Sequence, residues 1–308
     1  MMSEYSIKEI RDYSSVRVFK EAAVYPITFL ADKSKNCNTV KMAVMNNLNE
    51  IGWCNEISNE DIFVTDKWDS FFAENTRVHT LIKEIINKST PLSEIAEVKG
   101  AATVSEAYEI KNILTDAEEY NSDIHFKFIN TGTIDPYISL WESAKTQYIK
   151  HGYYQPVVKK DELKELYPRR YDDASKEKII IGGMTKKLEC FYDSGETLAG
   201  KSTTIVLDSD VDIVYLTGLL NSKLMTLFYQ NYFNSLSLAG GFYRVGAPQI
   251  KQLPIIVGTE EQQKNLVEIT TRMIDSPNDA DKELIDKMVF EIYEIGKEDV
   301  DVLIESLK

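Results

Sequence analysis

The chain has 308 residues, 49 acidic against 35 basic, for a formal net charge of −14, with 43% apolar side chains. A polypeptide of this size and apolar content hides about three quarters of its unfolded surface in one large or two ordinary domains, which excludes global disorder. No apolar stretch approaches the roughly 18 to 20 residues of a bilayer span, and the start lacks a secretory signal, so a cytoplasmic protein with no membrane partner is expected.

The predicted elements begin with strands at 24–30 and at 39–45, where Thr-Val-Lys-Met-Ala-Val-Met alternates with period two. A hairpin joined by the polar residues 31–38 fits them. Residues 68–88 carry Phe71, Phe72, Val78, Leu81, Ile82, Ile85 and Ile86 at helical spacing, and Ser89-Thr90-Pro91 ends the helix. From 92 to 257 the pattern is strand-rich, with strands expected at 126–130, 178–181, 190–192 and 203–207, then an apolar helix over 211–233. Beyond Gly258 the composition turns to charged helices. Thr259 and Gln262 form a capping box, Ile285, Met288, Val289 and Ile292 make a buried stripe, and Gly296 stands where a left-handed stop belongs. The expected class is α+β with a helical tail over 259–308.

Charge is unevenly spread. Residues 145–201 hold twelve Lys or Arg against nine Asp or Glu, a balance of +3, while the rest of the chain carries −17. Tyr148, Tyr153, Tyr154, Tyr167, Tyr171, Phe191 and Tyr192 are interleaved with these cations, a mixture that suits a nucleic-acid face as well as an ordinary solvated surface. Cys37, Cys54 and Cys190 match no metal spacing and read as reduced thiols, and His79, His125 and His151 are scattered, so a zinc site is not expected.

Four motifs carry chemistry on paper. Gly195-Glu-Thr-Leu-Ala-Gly200-Lys201-Ser202 satisfies the phosphate-loop pattern, yet a β-branched run follows where a helix is required. Binding of a nucleoside triphosphate there is the alternative reading. Asp135-Pro136-Tyr137 lacks one proline of the amino-methyltransferase signature and reads as a turn. Glu97-x-Lys99 with Asp69 mimics a metal-dependent nuclease, and Asp208-x-Asp210-x-Asp212 lacks the glycine and distal glutamate of a calcium loop.

Several segments, read in order, resemble one family. Val18-Phe-Lys-Glu-Ala-Ala-Val-Tyr-Pro26 looks like the late β-hairpin of γ-type adenine-specific DNA methyltransferases, and Ile95-Ala-Glu-Val-Lys-Gly100 like the start of their target-recognition domain. Gly132-Thr-Ile-Asp-Pro-Tyr137, Tyr215-Leu-Thr-Gly-Leu-Leu-Asn-Ser222, Gly240-Gly-Phe-Tyr-Arg244 and Gln249-Ile-Lys-Gln-Leu-Pro-Ile255 are similar to the TaqI-like C-terminal specificity domain. The segment 286–307 looks like the helix pair that closes such chains.

The resemblance implies a mixed-sheet target-recognition domain over 91–258, preceded over 1–90 by the β-hairpin end of a methyltransferase domain and followed over 259–308 by a small helical bundle. It implies double-stranded DNA as partner and a parent enzyme, of type IIG in the fused restriction-modification form, that methylates adenine N6 with S-adenosylmethionine. This chain lacks the cofactor loop and the Pro-Pro motif, so it is expected to hold no cofactor and no catalytic residue, and to depend on a missing methyltransferase half that belongs either to the same parent chain or to a separate subunit. An acidic protein-interaction subunit remains the other alternative. The candidate DNA face is Lys145, Lys150, Lys159, Lys160, Arg169, Arg170, Lys186, Lys187 and Arg244. The three arginines are the candidates for base edges, because a guanidinium binds guanine bidentately. Asn221-Ser222 and Leu253-Pro254-Ile255 are expected to be structural.

Overall fold

The computed structural model describes all residues except 1–5, 22–23, 25, 34–37, 60–61, 63–67, 73, 239 and 308. Parts of the 18–26 and 31–38 segments therefore lie outside the described residues. The chain divides into two compact units, one of residues 1–84, 231–235 and 301–308, the other of residues 85–230 and 236–300.

In the first unit, β1 (Ser6–Asp12), β2 (Ile27–Asp32), β3 (Thr39–Met45) and β4 (Ile51–Ser58) form a sheet in the order β2-β1-β3-β4. Val40 and Met42 of β3 join Ile10, Ile57 and Phe71 in its core. The hairpin expected between 24–30 and 39–45 is not formed, because β1 lies between those strands, antiparallel to β2 and parallel to β3. Periodicity missed β1 because Ile7 and Ile10 are its sole apolar residues; ion pairs Lys8–Asp32 and Lys41–Glu9 join it to both neighbours. The tight hairpin is β3–β4, closed by the Asn46 amide donating to the Glu50 carbonyl (3.0 Å). Of the helix expected over 68–88, α1 (Thr76–Lys88) forms, with a separate 3-10 turn at Asp69–Phe72. The Asn75 side chain accepts from the Arg77 amide (2.9 Å), a capping contact that fixes the later start.

The second unit runs through β5 (Thr90–Pro91), β6 (Glu97–Gly100), α2 (Val104–Ile113), β7 (Thr115–Asp116) and β8 (His125–Ile129). Two hairpins follow, β9 (Ile134–Asp135) with β10 (Ile138–Ser139) and β11 (Thr146–Tyr148) with β12 (His151–Tyr153). Then come β13 (Pro156–Lys159), α3 (Lys160–Leu166), α4 (Pro168–Ser175), β14 (Lys178–Gly182), β15 (Met184–Thr185), β16 (Cys190–Asp193), β17 (Thr197–Ala199) and β18 (Thr203–Leu207).

Two four-stranded sheets, β17-β8-β13-β7 and β16-β14-β18-β6, pack face to face. Period-two alternation divides their side chains. Ile129 and Val157 of one sheet meet Ile180, Phe191, Ile205 and Leu207 of the other, while Phe126, Phe128 and Val158 turn away to meet Ala107, Leu163 and Ala174 of α2, α3 and α4. Because β14 is buried on both faces, it reads as the continuous run Ile179-Ile180-Ile181. The four strands expected in this region appear as β8, β14, β16 and β18.

The apolar stretch 211–233 is two helices, α5 (Ile213–Asn221) and α6 (Lys223–Tyr232), broken at the extended Ser222. The buried Ser222 hydroxyl donates to the Leu219 carbonyl (2.7 Å) and accepts from the Met225 amide (3.2 Å), closing one helix and capping the next. Asn221 pairs with the backbone of Cys190, docking α5 on β16. After β19 (Ser237–Leu238), β20 (Phe242–Arg244), α7 (Ala247–Ile250) and β21 (Pro254–Ile255) come α8 (Glu260–Asp275), α9 (Asp279–Ile292) and α10 (Lys297–Glu305). The Thr259–Gln262 capping box opens α8 as the sequence implies. The left-handed stop falls at Glu294 (φ 55°) rather than Gly296, with the Ile295 amide bonding to the Phe290 carbonyl (2.9 Å) in the Schellman pattern.

Candidate nucleic-acid interface

Loops at one end of the two sheets are laced together by short polar contacts. Thr131, just past β8, donates to the Ser202 carbonyl (2.5 Å) and accepts from the Gly183 amide (3.0 Å). The Gly183 carbonyl accepts from Val245 (3.0 Å), and Asn130 Nδ2 donates to the Gln147 carbonyl (3.1 Å). Gly183 is required here, since a Cβ would collide with the Ser202 carbonyl oxygen. The ends of β8, β14, β18 and β20 and the β11–β12 hairpin therefore share one end of the fold.

Five of the nine expected residues reach that end. Lys145 and Lys150 belong to the β11–β12 hairpin, Lys150 exposed in its turn and Lys145 held with Nζ 5.2 Å from the centroid of the exposed Tyr154 ring. Arg244 is paired in register with Met184 in the small sheet β15-β20-β19, and Lys186 and Lys187 leave its other strand. Lys186 Nζ sits 5.3 Å over the Phe242 ring. The left-handed Gly240 and Gly241 turn the chain between β19 and β20.

The other four stand elsewhere. Lys159 pairs in register with His125, at the opposite end of β8, roughly 15 Å away at about 3.3 Å per residue. Lys160 opens α3 with Nζ 4.9 Å over the Phe126 ring. Arg169 is exposed on the first turn of α4. Arg170 points inward: its side chain is 14% exposed and grips Glu106 through Nε (3.2 Å) and Nη2 (2.9 Å), with Nη1 3.4 Å from both Asp173 and the Gly100 carbonyl.

Among the nine, Lys159 and Arg170 hold carboxylate partners within 4 Å, and the other seven form no such pair among the described residues. Lys99, Lys127, Lys176 and Lys178 of the same domain are paired with Glu or Asp. Lys111, Lys164, Lys201, Lys223 and Lys251 are likewise without a carboxylate within 4 Å among the described residues, so it is position at one end, and not pairing alone, that groups the five. The aromatic neighbours of the nine in sequence mostly turn inward: Tyr148, Tyr153 and Phe191 are core residues, and the Tyr167 hydroxyl is held by Glu109 (2.5 Å), which pushes its pKa up to about 12. Tyr154, 67% exposed, is the aromatic left facing water beside the cations.

The phosphate-loop alternative fails on geometry. The stretch 195–202 is a turn, the strand β17 and a second turn into β18, with no helix behind it. The amides of Gly195, Glu196 and Thr197, which would face a phosphate, already bond to Asp193 Oδ2 at 3.1, 3.2 and 3.3 Å. That carboxylate is itself neutralised by the buried Lys178 (2.5 Å). The Asp135-Pro136-Tyr137 segment is the β9–β10 turn; Tyr137 takes a left-handed φ of 70° and its ring is buried, so it offers no open surface to an extruded base. Lys99 is committed to Glu97 (3.1 Å) and Asp173 (2.8 Å). Among the described residues no three His, Cys, Asp or Glu side chains converge as a metal site, and no helix is long and apolar enough to cross a membrane.

The family described as the TaqI-like C-terminal specificity domain matches residues 102–255, half of the chain and the whole of the region just described. The chain belongs to that family. No curated protein matches it. Among solved structures it is similar to the type IIL restriction-modification enzyme MmeI, determined in complex with DNA, at 12% identity and a TM-score of 0.50, over 99% of this chain and 45% of that one. It is also similar to the type IIG restriction endonuclease BpuSI, at 11% identity and a TM-score of 0.39, over 96% and 45%. The likeness to MmeI is one of fold, and this chain spans less than half of that enzyme's length. All nine expected cations lie inside the specificity domain. Gln147 is exposed on the same hairpin as Lys145, and a single polar residue in a short strand gives no local signal in the sequence.

Proposed function

We propose that this chain is the DNA target-recognition part of a restriction-modification enzyme. The observation that carries the reading is a cluster of Lys and Arg side chains without a carboxylate partner among the described residues, Lys145, Lys150, Lys186, Lys187 and Arg244, which share one end of the specificity domain. Unpaired cations are what phosphate binding requires, since each phosphate contact releases a counterion and sets the salt dependence of affinity. The net charge of −14 does not oppose this, because Debye screening confines each face to its own neighbourhood of about 8 to 10 Å.

In this reading the enzyme's catalytic half is a methyltransferase acting on adenine N6 with S-adenosylmethionine, and residues 1–90 are the end of that catalytic domain, 91–258 the recognition domain and 259–308 its helical closure. For the target amine this chain carries no proline pair, and the nearest segment hides Tyr137 in the core. Lys186, Lys187 and Arg244 supply the phosphate and base contacts from the small sheet, with Lys145 and Lys150 on the hairpin. In the same reading Arg169 and Lys160 contact phosphates outside the five-cation end, whereas Arg170 positions α4.

The test is a fluorescence-anisotropy titration with duplex DNA at several salt concentrations. Replacing Lys186 and Lys187 with Ala is expected to weaken binding and to flatten the dependence of log K on log salt by about two counterion contacts. Unchanged affinity and slope in that variant overturn the assignment of this face.

A further inference from the structure

The β11–β12 hairpin is built unlike an ordinary surface turn. Its two turn residues, Ile149 (φ 43°) and Lys150 (φ 62°), are both left-handed, the positions that Asn-Gly normally fills. A β-branched residue at such a φ is strained. Ile149 is held there by packing on the core that contains Tyr148, Tyr153 and Phe128, where the Tyr148 and Phe128 rings meet edge-on at 4.7 Å. The inner face of the hairpin, Thr146, Tyr148 and Tyr153, is buried, so its register cannot slip. Its far end is pinned by Asp116, which accepts from the amides of Tyr154 (2.8 Å) and Gln155 (2.9 Å).

The outer face is polar and wet. Lys145, Gln147, Gly152 and Tyr154 share it by strand alternation and register. Gly152 has no side chain to obstruct Lys145, which lies across the hairpin toward Tyr154; a Cβ there would collide with Lys145 Cε and come within 3.0 Å of Gln147 Nε2. Asn130 fixes the Gln147 carbonyl, while the exposed Gln147 carboxamide makes no hydrogen bond to another described residue. A rigid backbone thus displays one free carboxamide between two cations and an aromatic ring.

Resting on the DNA-recognition reading, we infer that this hairpin is a base-reading element and that Gln147 determines one position of the recognised sequence. A carboxamide pairs bidentately with adenine N6 and N7, a short β-ribbon fits the major groove, and the exposed Lys145 and Lys150 flank Gln147 in the chain as candidates for phosphate contacts. The fixed backbone makes the display preorganised, so little ordering accompanies binding.

The experiment takes the full chain through selection on a randomised duplex library, then titrates wild type, Gln147→Ala, Gln147→Glu and Lys150→Ala against the selected duplex and its single-base variants. Gln147→Ala is expected to lose about tenfold or more of discrimination at one position while keeping its urea midpoint and salt slope. Gln147→Glu should move preference at that position toward cytosine, whose amino group a carboxylate accepts. Lys150→Ala should weaken all duplexes equally and reduce the salt slope by about one. If both Gln147 variants retain the wild-type preference at every position, the hairpin inference is wrong and the DNA-recognition reading stands. If wild type selects no sequence at all, that reading falls and the inference falls with it.

Discussion

Replacing Arg170 with Ala should destabilise the fold, whereas replacing its neighbour Arg169 should not. Arg170 makes a two-pronged contact with Glu106, whose side chain is 19% exposed and which also closes the capping box of α2 through the Thr103 amide (2.6 Å). Breaking a well-buried ion pair costs about 3–5 kcal/mol, and a lost charge-assisted hydrogen bond about 1.5–3 kcal/mol. Lys99 stays 2.8 Å from Asp173 and neutralises it, so Glu106 alone is orphaned, and partial solvation brings the expected loss to about 2–3 kcal/mol. With a urea m-value of about 2–3 kcal/mol/M, the unfolding midpoint should fall by about 1 M. Arg169 is exposed, and its replacement should stay within about 0.5 kcal/mol while lowering the salt slope of DNA binding. An Arg170→Ala protein as stable as wild type but deficient in binding duplex would refute the assignment of Arg170 to the scaffold.

Acid should probe the same pair. Burial raises the Glu106 carboxyl pKa, but Arg170 and the Thr103 amide and hydroxyl outweigh it and bring it down to about 2. Its stabilisation, no more than about 2 kcal/mol after solvent screening, is present above about pH 4.5 and fades as pH falls toward 2, so Glu106→Gln should flatten the pH dependence of the urea midpoint in that window. Lys178→Ala should cost about 3–5 kcal/mol, because Lys178 is 1% exposed and its loss strands Asp193; adding Asp193→Asn should recover at least half, as read by thermal unfolding. Glu294→Gly should be neutral or stabilising by up to about 1 kcal/mol, since glycine relieves the left-handed φ and the exposed pair with Lys88 contributes little; a loss above about 1 kcal/mol would contradict the strain argument.

What the sequence made legible follows from range. The Ile179-Ile180-Ile181 run and the Thr259–Gln262 box are local signals, one from a strand buried on both faces and one from two side chains three positions apart, and both elements form where expected. The β1 strand was hidden because its burial rests on Ile7 and Ile10 and its partners lie 15 to 32 positions away. The β11–β12 hairpin was hidden because Ile149-Lys150 carries none of the usual turn chemistry; packing on Tyr148 and Phe128 substitutes for it. Arg169 and Arg170 look equivalent in sequence, yet successive helical residues point about 100° apart, and that rotation sends one to solvent and the other to Glu106. Of the nine candidate cations, those near the hairpin and the small sheet converge through Thr131, Gly183 and Ser202, contacts separated by 52 and 71 positions that no local pattern encodes.

The most direct test of the central claim is selection by the full chain from a randomised duplex library at low ionic strength, read by sequencing the retained fraction. The expected result is enrichment of one defined sequence, whose affinity falls steeply as salt is raised. A retained pool no different from the input, with no measurable affinity for any duplex, would contradict the account.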